Sequence, residues 1–218
     1  MAVPLLYLHP LSSFCQKVLV ALYERGTPFE TRLLAHDDPA GHAELCSFWP
    51  FGKFPLLVDA DRPVAEATII IEHLDRHHPG GARMLPEDPA DALEARFMDR
   101  VFDNHVMTVQ TEIVLAAIGR GTADSADQAR MKLDTAYAWL DERLGDGRQW
   151  AAGDRFGLAD CGAAPALLYA HWSHPIEARF ERLHAYRRRL LARPSYARAL
   201  DEARPYRPLF PLPIPDGE

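Results

Sequence analysis

The chain has 218 residues, 48% of them hydrophobic, and a formal net charge of −7 at pH 7. The net negative charge argues against a nucleic-acid partner, because phosphate binding requires a basic face. No run of about eighteen apolar residues is present, so no membrane span is expected.

Residues 1–78 alternate strand and helix signals. Short apolar or alternating runs predict strands, and longer stretches between them predict helices. The predicted strands are 5–8, 29–34, 55–59 and 63–65, and the predicted helices are 14–25, 39–48 and 66–77. This order, βαβαββα, resembles the thioredoxin-like arrangement.

Helix-breaking residues cluster at 79–89 and predict a linker. Beyond it, apolar residues recur at helical spacing. One long amphipathic helix is predicted around the stripe of Leu93, Phe97, Val101, Val109 and Ile113. Further helices are predicted at 129–144, 158–172, 178–192 and 195–203, and the nearly all-apolar 158–172 is expected at the centre of a bundle. The tail, 204–218, holds five prolines, so no helix is expected there. We expect it to lie along the surface or to be partly disordered.

Cysteine and histidine usage bears on redox state and metal binding. The chain has three cysteines, Cys15, Cys46 and Cys161, and ten histidines, and neither set shows metal-ligand spacing. The N-terminus also lacks the basic start and apolar stretch of a signal peptide. These features predict a reduced, cytoplasmic chain without a metal.

The most informative motif lies where the first strand becomes the first helix. Residues 12–17 have the pattern Ser-x-x-Cys-x-Lys, which copies the Cys-x-x-Cys-x-Lys of glutaredoxin-like redox proteins with Ser12 in place of the first cysteine. A hydroxyl cannot exchange disulfides, but it can donate a hydrogen bond to a bound thiolate. The motif therefore favours a protein that acts on the sulfur of a bound thiol. Without its partner, Cys15 is expected to be a small buried residue.

Four motifs in order resemble those of the cytosolic glutathione transferase family, and the resemblance extends to about residue 203. Residues 12–18 are similar to the Ser-Ser-Cys-Ser-Trp-Arg-Val of zeta-type members and the Ser-Pro-Phe of tau-type members. Residues 52–55 are similar to Gly-Lys-Val-Pro, and 66–74 to Glu-Ser-x-Ala-Ile-x-x-Tyr-Leu. Residues 158–165 are similar to the Ala-Asp-Cys-x-x-x-Pro segment of the buried bundle helix.

The resemblance implies a fold and an activity. The fold is an α/β thioredoxin-like domain over 1–78 that binds glutathione, the linker 79–89, and an all-α helical bundle over 90–203. The activity is attack by the glutathione thiolate on a small hydrophobic electrophile, in a homodimer. Isomerase, peroxidase and etherase reactions use the same thiolate. The alternative is a non-catalytic binding or regulatory protein similar to bacterial stringent-starvation proteins. A glutaredoxin-like oxidoreductase is disfavoured because Ser12 lacks the sulfur.

The family motif assigns the catalytic role to Ser12, whose hydroxyl would stabilise the thiolate. A serine before a helix is also an ordinary N-cap. Ser13 is the nearest rival for the role, and Tyr7 is a weaker one, because the helix match places His9 rather than Tyr7 opposite the tyrosine that some classes use.

The resemblance also implies the glutathione-binding residues, which are Ser12, Phe14, Lys53, Phe54, Pro55, Glu66, Ala67 and Thr68. Pro55 would be cis, exposing the backbone of Phe54 to the glutathione cysteine. Lys53 either binds the glycyl carboxylate or is a surface lysine. Glu66 would bind the γ-glutamyl amine, compensate the helix dipole, or do both.

One departure from the family concerns the γ-glutamyl carboxylate. The family's serine at this site is Ala67 here, and losing one hydrogen bond to a charged group costs about 1.5–3 kcal/mol. The backbone N–H at the start of the helix remains, and a helix N-terminus attracts a carboxylate. Thr68 is a candidate to supply a hydroxyl from the next position.

Four residues of the helical half have expected roles. Asp160 is expected to close the N-terminus of the bundle helix. His105, Met107 and Trp172 are candidates to line a pocket for the second substrate, although a core or interface role is favoured for each.

Overall fold

The computed structural model describes residues 3–215. The strands are β1 (Leu5–Leu8), β2 (Glu30–Leu33), β3 (Leu56–Asp59) and β4 (Arg62–Ala65). The α-helices of the N-terminal half are α1 (Ser13–Arg25), α2 (Pro39–Phe48) and α3 (Ala67–His77). Those of the C-terminal half are α4 (Pro89–Val101), α5 (Thr108–Ala117), α6 (Ala123–Arg143), α7 (Leu158–Ser173), α8 (Glu181–Leu191) and α9 (Pro194–Ala203).

The predicted fold class is confirmed. Every element predicted in residues 1–78 is present, and its ends differ from the prediction by at most one residue. The sheet order is β2-β1-β3-β4, with β1 parallel to β2 and antiparallel to β3, and with β3 antiparallel to β4. From residue 89 to residue 215, every named element is helical. Among residues 3–215, every helix is too short or too polar to cross a lipid bilayer.

Strand alternation divides the core between the two faces of the sheet, because successive side chains of a strand point to opposite faces. Leu6 of β1 is fully buried in the main core with residues of α1 and α3. Tyr7 points to the other face, where it packs with Leu45 of α2. The main core continues from this sheet into the bundle, where α7 packs against α1.

The bundle is centred on α7, as predicted. Its residues from Leu158 to Ala170 are all buried. The carboxylate of Asp160 closes the start of this helix by accepting from the backbone N–H of Gly157 at 2.9 Å, and it also accepts from Ala151 N–H and from the Tyr186 hydroxyl. A side chain at Gly157 would place its Cβ 2.7 Å from the carbonyl oxygen of Met84. Glycine at this cap is therefore required by a close approach.

The long amphipathic helix differs from its prediction. Residues 89–117 are helical throughout, but a π-helical segment at Phe102–Met107 separates α4 from α5. A π turn holds more residues than an α turn, so it shifts which side chains face the core. Val109 and Ile113 are buried as expected, whereas Leu93 and Phe97 are 67% and 47% exposed. The predicted stripe is therefore wrong at Leu93 and Phe97 and right at Val101. The buried residues of α4 are Ala92, Ala95, Met98, Asp99 and Val101.

The tail also differs from its prediction. Arg204–Leu209 forms a 3-10 helix, which tolerates prolines over a short length. After it, Phe210 packs against Tyr169 and Trp172 of α7, with ring centroids 5.8 and 5.2 Å away. Residues 204–215 therefore lie along the surface, as one of the two expectations had it, and residues 216–218 lie outside the described part.

Candidate active site

The strand register brings three distant motifs to one end of the sheet. Tyr7 pairs with Leu56 across antiparallel strands, and Leu56 pairs with Ala65 on its other side. The chain leaving β1 towards Ser12, the chain entering β3 at Pro55 and the chain leaving β4 at Glu66 must therefore lie next to one another. Main-chain pairing therefore brings these three chain segments together.

Ser12 is the N-cap of α1, which is the structural role expected of a serine directly before a helix. Its Oγ accepts from the backbone N–H of Cys15 at 3.4 Å, and its own N–H donates to the carbonyl oxygen of His9. A serine hydroxyl has one donor and two acceptor positions, so accepting this bond leaves its O–H group able to donate. Capping and stabilisation of a bound thiolate are therefore compatible roles for Ser12, which is half-buried.

The rivals for the catalytic role are less well placed. Tyr7 lies on the α2 face of the sheet and donates its hydroxyl proton to Glu44 Oε1 at 2.7 Å. Burial and this bond raise the pKa of Tyr7 to about 12. Ser13 is only 8% exposed. His9 accepts from Leu11 N–H through Nδ1 at 3.2 Å, and burial lowers its pKa.

Cys15 is fully buried, as expected. Burial raises the pKa of its thiol to about 12, although the hydrogen bonds with Ser12 and His9 act to lower that pKa. A protonated, inaccessible thiol is inert in disulfide exchange.

The chain entering β3 has the backbone form that the motif implies. The peptide bond between Phe54 and Pro55 is cis. Phe54 is half-buried, and Lys53 beside it is exposed. Phe14, on the first turn of α1, is also half-buried and packs against the main core.

The junction between β4 and α3 has an unusual backbone. Glu66 has φ 71° and ψ 120°, outside the regions that residues with a side chain favour. Such conformations cluster at functional sites, where the surrounding structure imposes them. Glu66 is exposed and its side chain makes no cap hydrogen bond, while Ala67 is 6% exposed. The first N–H groups of a helix have no partner within the helix, so α3 begins as an anion-binding end.

Thr68 has its hydroxyl committed to the interior. The hydroxyl accepts from Lys17 Nζ at 3.0 Å and from Arg100 Nη2 at 2.6 Å, and it donates to Asp99 Oδ2 at 2.8 Å. These three bonds use its one donor and two acceptor positions. The hydroxyl therefore does not replace the serine missing at Ala67, and Thr68 keeps its backbone N–H for a ligand.

Comparison with known proteins identifies the family. Residues 6–82 match the family model "Glutathione S-transferase, N-terminal domain", and residues 123–189 match "Glutathione S-transferase, C-terminal domain". Glutathione S-transferase F13 of Arabidopsis thaliana is 30% identical over 176 residues, which are 75% of this chain and 78% of that relative. This chain belongs to the glutathione S-transferase family.

Two further relatives cover nearly the whole chain. The "Probable maleylacetoacetate isomerase" of Vibrio cholerae is 26% identical over 209 residues, or 92% of this chain and 97% of the relative. A glutathione S-transferase of Methylobacterium radiotolerans, solved in complex with glutathione sulfonate, is 30% identical with a TM-score of 0.77, covering 91% of this chain and 94% of that one. The chain spans 66% and 52% of the length of two plant glutathione transferases that it also matches.

In this member of the family, a buried ion cluster supports the start of α3. Lys17, 1% exposed, lies 2.5 Å from Asp99 Oδ1 and 2.8 Å from Asp103 Oδ2. Arg100 also bonds both carboxylates from the solvent side. Burial raises the pKa of Asp103, and the Lys17 charge opposes that rise. The sequence analysis noted Lys17 only as the last position of the Ser-x-x-Cys-x-Lys motif, because its two carboxylate partners lie more than 80 residues away in the chain.

The candidate residues for the second substrate fall in different places. Met107 and Trp172 are buried in the main core, and Arg207 of the tail stacks on Trp172. His105 is exposed in an outer groove between α4, α5 and α6, with Phe97 and Trp139. Met107 and Trp172 therefore have the favoured core role. His105 lies outside the core, and an interface role for it stays a prediction.

Replacing Lys17 with methionine tests the buried cluster. We expect Lys17→Met to lower the free energy of unfolding by about 3–5 kcal/mol, because it leaves two buried carboxylates undercompensated. Lys132→Met is the matched control: Lys132 forms an exposed pair with Glu112 at 3.3 Å, and its loss costs less than about 1 kcal/mol. Urea unfolding of the two variants measures the difference, and equal stabilities would contradict the account.

Proposed function

We propose that this protein is a glutathione transferase that holds glutathione at the end of the sheet and uses its thiolate as the nucleophile. The observation that carries the proposal is the meeting of three groups there. They are the Ser12 hydroxyl at the start of α1, the Phe54 backbone before a cis-proline, and the free N–H groups at the start of α3.

Each part of glutathione has a proposed partner. The γ-glutamyl carboxylate binds the backbone N–H groups of Ala67 and Thr68, and its amine pairs with the exposed Glu66. The cysteine backbone pairs with Phe54 as an added strand would. Lys53 reaches the glycyl carboxylate, and Phe14 contacts the ligand from the first turn of α1.

The energetics of thiolate formation fit these groups. A thiol with a pKa near 8.5 is mostly protonated at pH 7, and lowering that pKa by two units requires about 2.7 kcal/mol. A hydrogen bond to a charged group contributes about 1.5–3 kcal/mol. The N-terminus of α1 adds about 0.3–1 kcal/mol. Ser12 and the helix together supply the requirement without an acid–base triad.

The second substrate is proposed to be a small hydrophobic electrophile. Conjugation is the leading reaction, and peroxidase or etherase chemistry would use the same thiolate. Glutathione-dependent isomerisation is the second candidate, because the match to the probable maleylacetoacetate isomerase spans 97% of that relative's length. Retention on immobilised glutathione, followed by aryl-halide conjugation and maleylacetoacetate isomerisation assays, tests the proposal. Failure of the wild type to bind glutathione would refute it and favour the regulatory alternative.

The remaining proposals concern organisation. We propose the division into 1–78, 79–89 and 90–203 described above, and a homodimer formed through the exposed apolar side of α4 and α6. Leu93 and Phe97 are exposed there, beside a groove of about 360 Å³ lined in part by Trp139 and Val101. Light scattering should give twice the chain mass of 24.5 kDa, and a monomeric mass would contradict this.

A cytoplasmic location is proposed from the free cysteines.

Ser12→Ala tests the catalytic assignment. We expect kcat/KM at neutral pH to fall about 10- to 100-fold, because a hydrogen bond of about 1.5–3 kcal/mol to the thiolate is lost. The acidic limb of the pH profile should move up by about one to two units, and activity should recover at high pH, where the thiol ionises unaided. Ser13→Ala is the control and should keep the wild-type profile. The loss of a cap alone would destabilise α1 by about 1 kcal/mol without moving the profile, and a Ser12→Ala profile that matches wild type would refute the assignment.

Ala67→Ser tests the γ-glutamyl site, because the variant should gain affinity for glutathione. Restoring a hydroxyl at the first residue of α3 should tighten glutathione binding about tenfold, since one added bond to a carboxylate contributes about 1.5 kcal/mol. Ala90→Ser, in the first turn of α4, is the matched control and should leave the affinity unchanged. Calorimetric titration with glutathione measures both, and an unchanged or weaker affinity of Ala67→Ser would contradict the placement.

A further inference from the structure

Three metal-ligating groups meet at the opposite end of α3. Asp59 ends β3, His73 lies in the last two turns of α3, and His78 directly follows the helix. Asp59 Oδ2 is 2.7 Å from His73 Nε2 and 2.8 Å from His78 Nε2, and all three ligand atoms lie within 4.8 Å of one another. The spacing of these residues matches no linear metal motif, because a strand end and a helix end contribute the ligands; the group was therefore not predicted from the sequence.

The chemistry and burial of the group suit a transition metal. Two imidazole nitrogens and one carboxylate oxygen form a donor set that Zn²⁺ accepts. The side chains of Asp59, His73 and His78 are 13%, 8% and 11% exposed. The three side chains are therefore largely buried, and a Zn²⁺ ion held by three protein ligands takes a water molecule as its fourth ligand.

We propose that Asp59, His73 and His78 bind one divalent transition-metal ion of the Zn²⁺ class. A tetrahedral ion about 2.0–2.1 Å from each ligand would separate neighbouring ligand atoms by about 3.3 Å. The present bonds of 2.7 and 2.8 Å would open by roughly half an ångström, within the reach of side-chain rotation. Each imidazole then carries its single proton on Nδ1 and offers the Nε2 lone pair to the metal, while any further ring proton leaves to solvent.

One feature distinguishes this chain from the family motif at the site. His73 stands where the motif has tyrosine, so one of the two nitrogen ligands is a departure from the pattern. His77 is close by, with its ring stacked on that of His73 at 4.2 Å, but its Nδ1 bonds the backbone carbonyl oxygen of His73 and it stands outside the ligand group. His77 thus offers a neighbouring imidazole as a control.

The proposed ion is structural and does not depend on the proposed function. The eleven residues of α3 separate it from the glutathione end by roughly 15 Å. It would fasten the end of β3 to the end of α3, beside the segment that enters the bundle. Asp75 of α3 already holds that segment through the N–H groups of Met84 and Leu85. Metal binding should therefore raise the thermal midpoint of unfolding.

The experiment uses the full chain without a purification tag, freed of metal and free of glutathione, in a Cys46→Ser background. Cys46 is an exposed free cysteine, and both it and glutathione would bind Zn²⁺ through sulfur. Calorimetry with Zn²⁺ should show one ion per chain, and Co²⁺ should give visible absorption bands of a site with nitrogen and oxygen ligands. Absence of stoichiometric binding in this background would overturn the proposal.

The variants locate the site. His73→Gln and His78→Gln should each weaken Zn²⁺ binding by at least about 100-fold, since even the loss of a supporting partner of a ligand costs about 10- to 100-fold. Each should also abolish the thermal shift, whereas His77→Gln should keep both affinity and shift. Because His78 follows the helix, His78→Gln tests the site even if His73→Gln unfolds. Wild-type affinity in His78→Gln, or loss of binding in His77→Gln, would overturn the assignment.

Discussion

The register of three antiparallel strands is the constraint on which the rest of the structure depends. Leu56 of β3 pairs with Tyr7 of β1 on one side and with Ala65 of β4 on the other. This pairing fixes the end of the sheet at which the motif of α1, the cis-proline and the start of α3 meet. A shift of one residue would turn every side chain of a strand to the other face, so the same pairing also holds Tyr7 away from the site.

The site is supported by both halves of the chain. Lys17 of α1 and Thr68 of α3 bond carboxylates that the C-terminal half contributes from Asp99 and Asp103. A buried charge without a partner is costly, so this cluster discourages the two halves from separating. The start of α3, where the γ-glutamyl group is proposed to bind, is therefore positioned by contacts outside the thioredoxin-like half. The metal proposed at the other end of the helix would add a second support.

Local pattern was enough to predict much of this molecule. Strand alternation, helix periodicity and turn residues act over a few positions, and they placed the elements of residues 1–78 to within one residue. The same reasoning failed where groups distant in the chain determine which partners a side chain has. The π-helical segment changed which residues of the long helix face the core. The hydroxyl of Thr68 bonds a cluster that other helices contribute. The first prolines of the tail lie in a 3-10 helix. The group of Asp59, His73 and His78 exists only once β3 and α3 pack together. The bonds of Thr68 and the group around Asp59 depend on tertiary contacts that sequence spacing does not encode.

The most direct test of the account is the pKa of the thiol of glutathione bound to the wild-type protein. Ultraviolet difference spectra of the complex, recorded across a pH series, measure thiolate formation. Stabilisation by Ser12 and the start of α1 predicts that thiolate absorbance appears about one to two units below the pKa of a free thiol, near 8.5. A bound thiol that titrates at the free value would contradict the central claim.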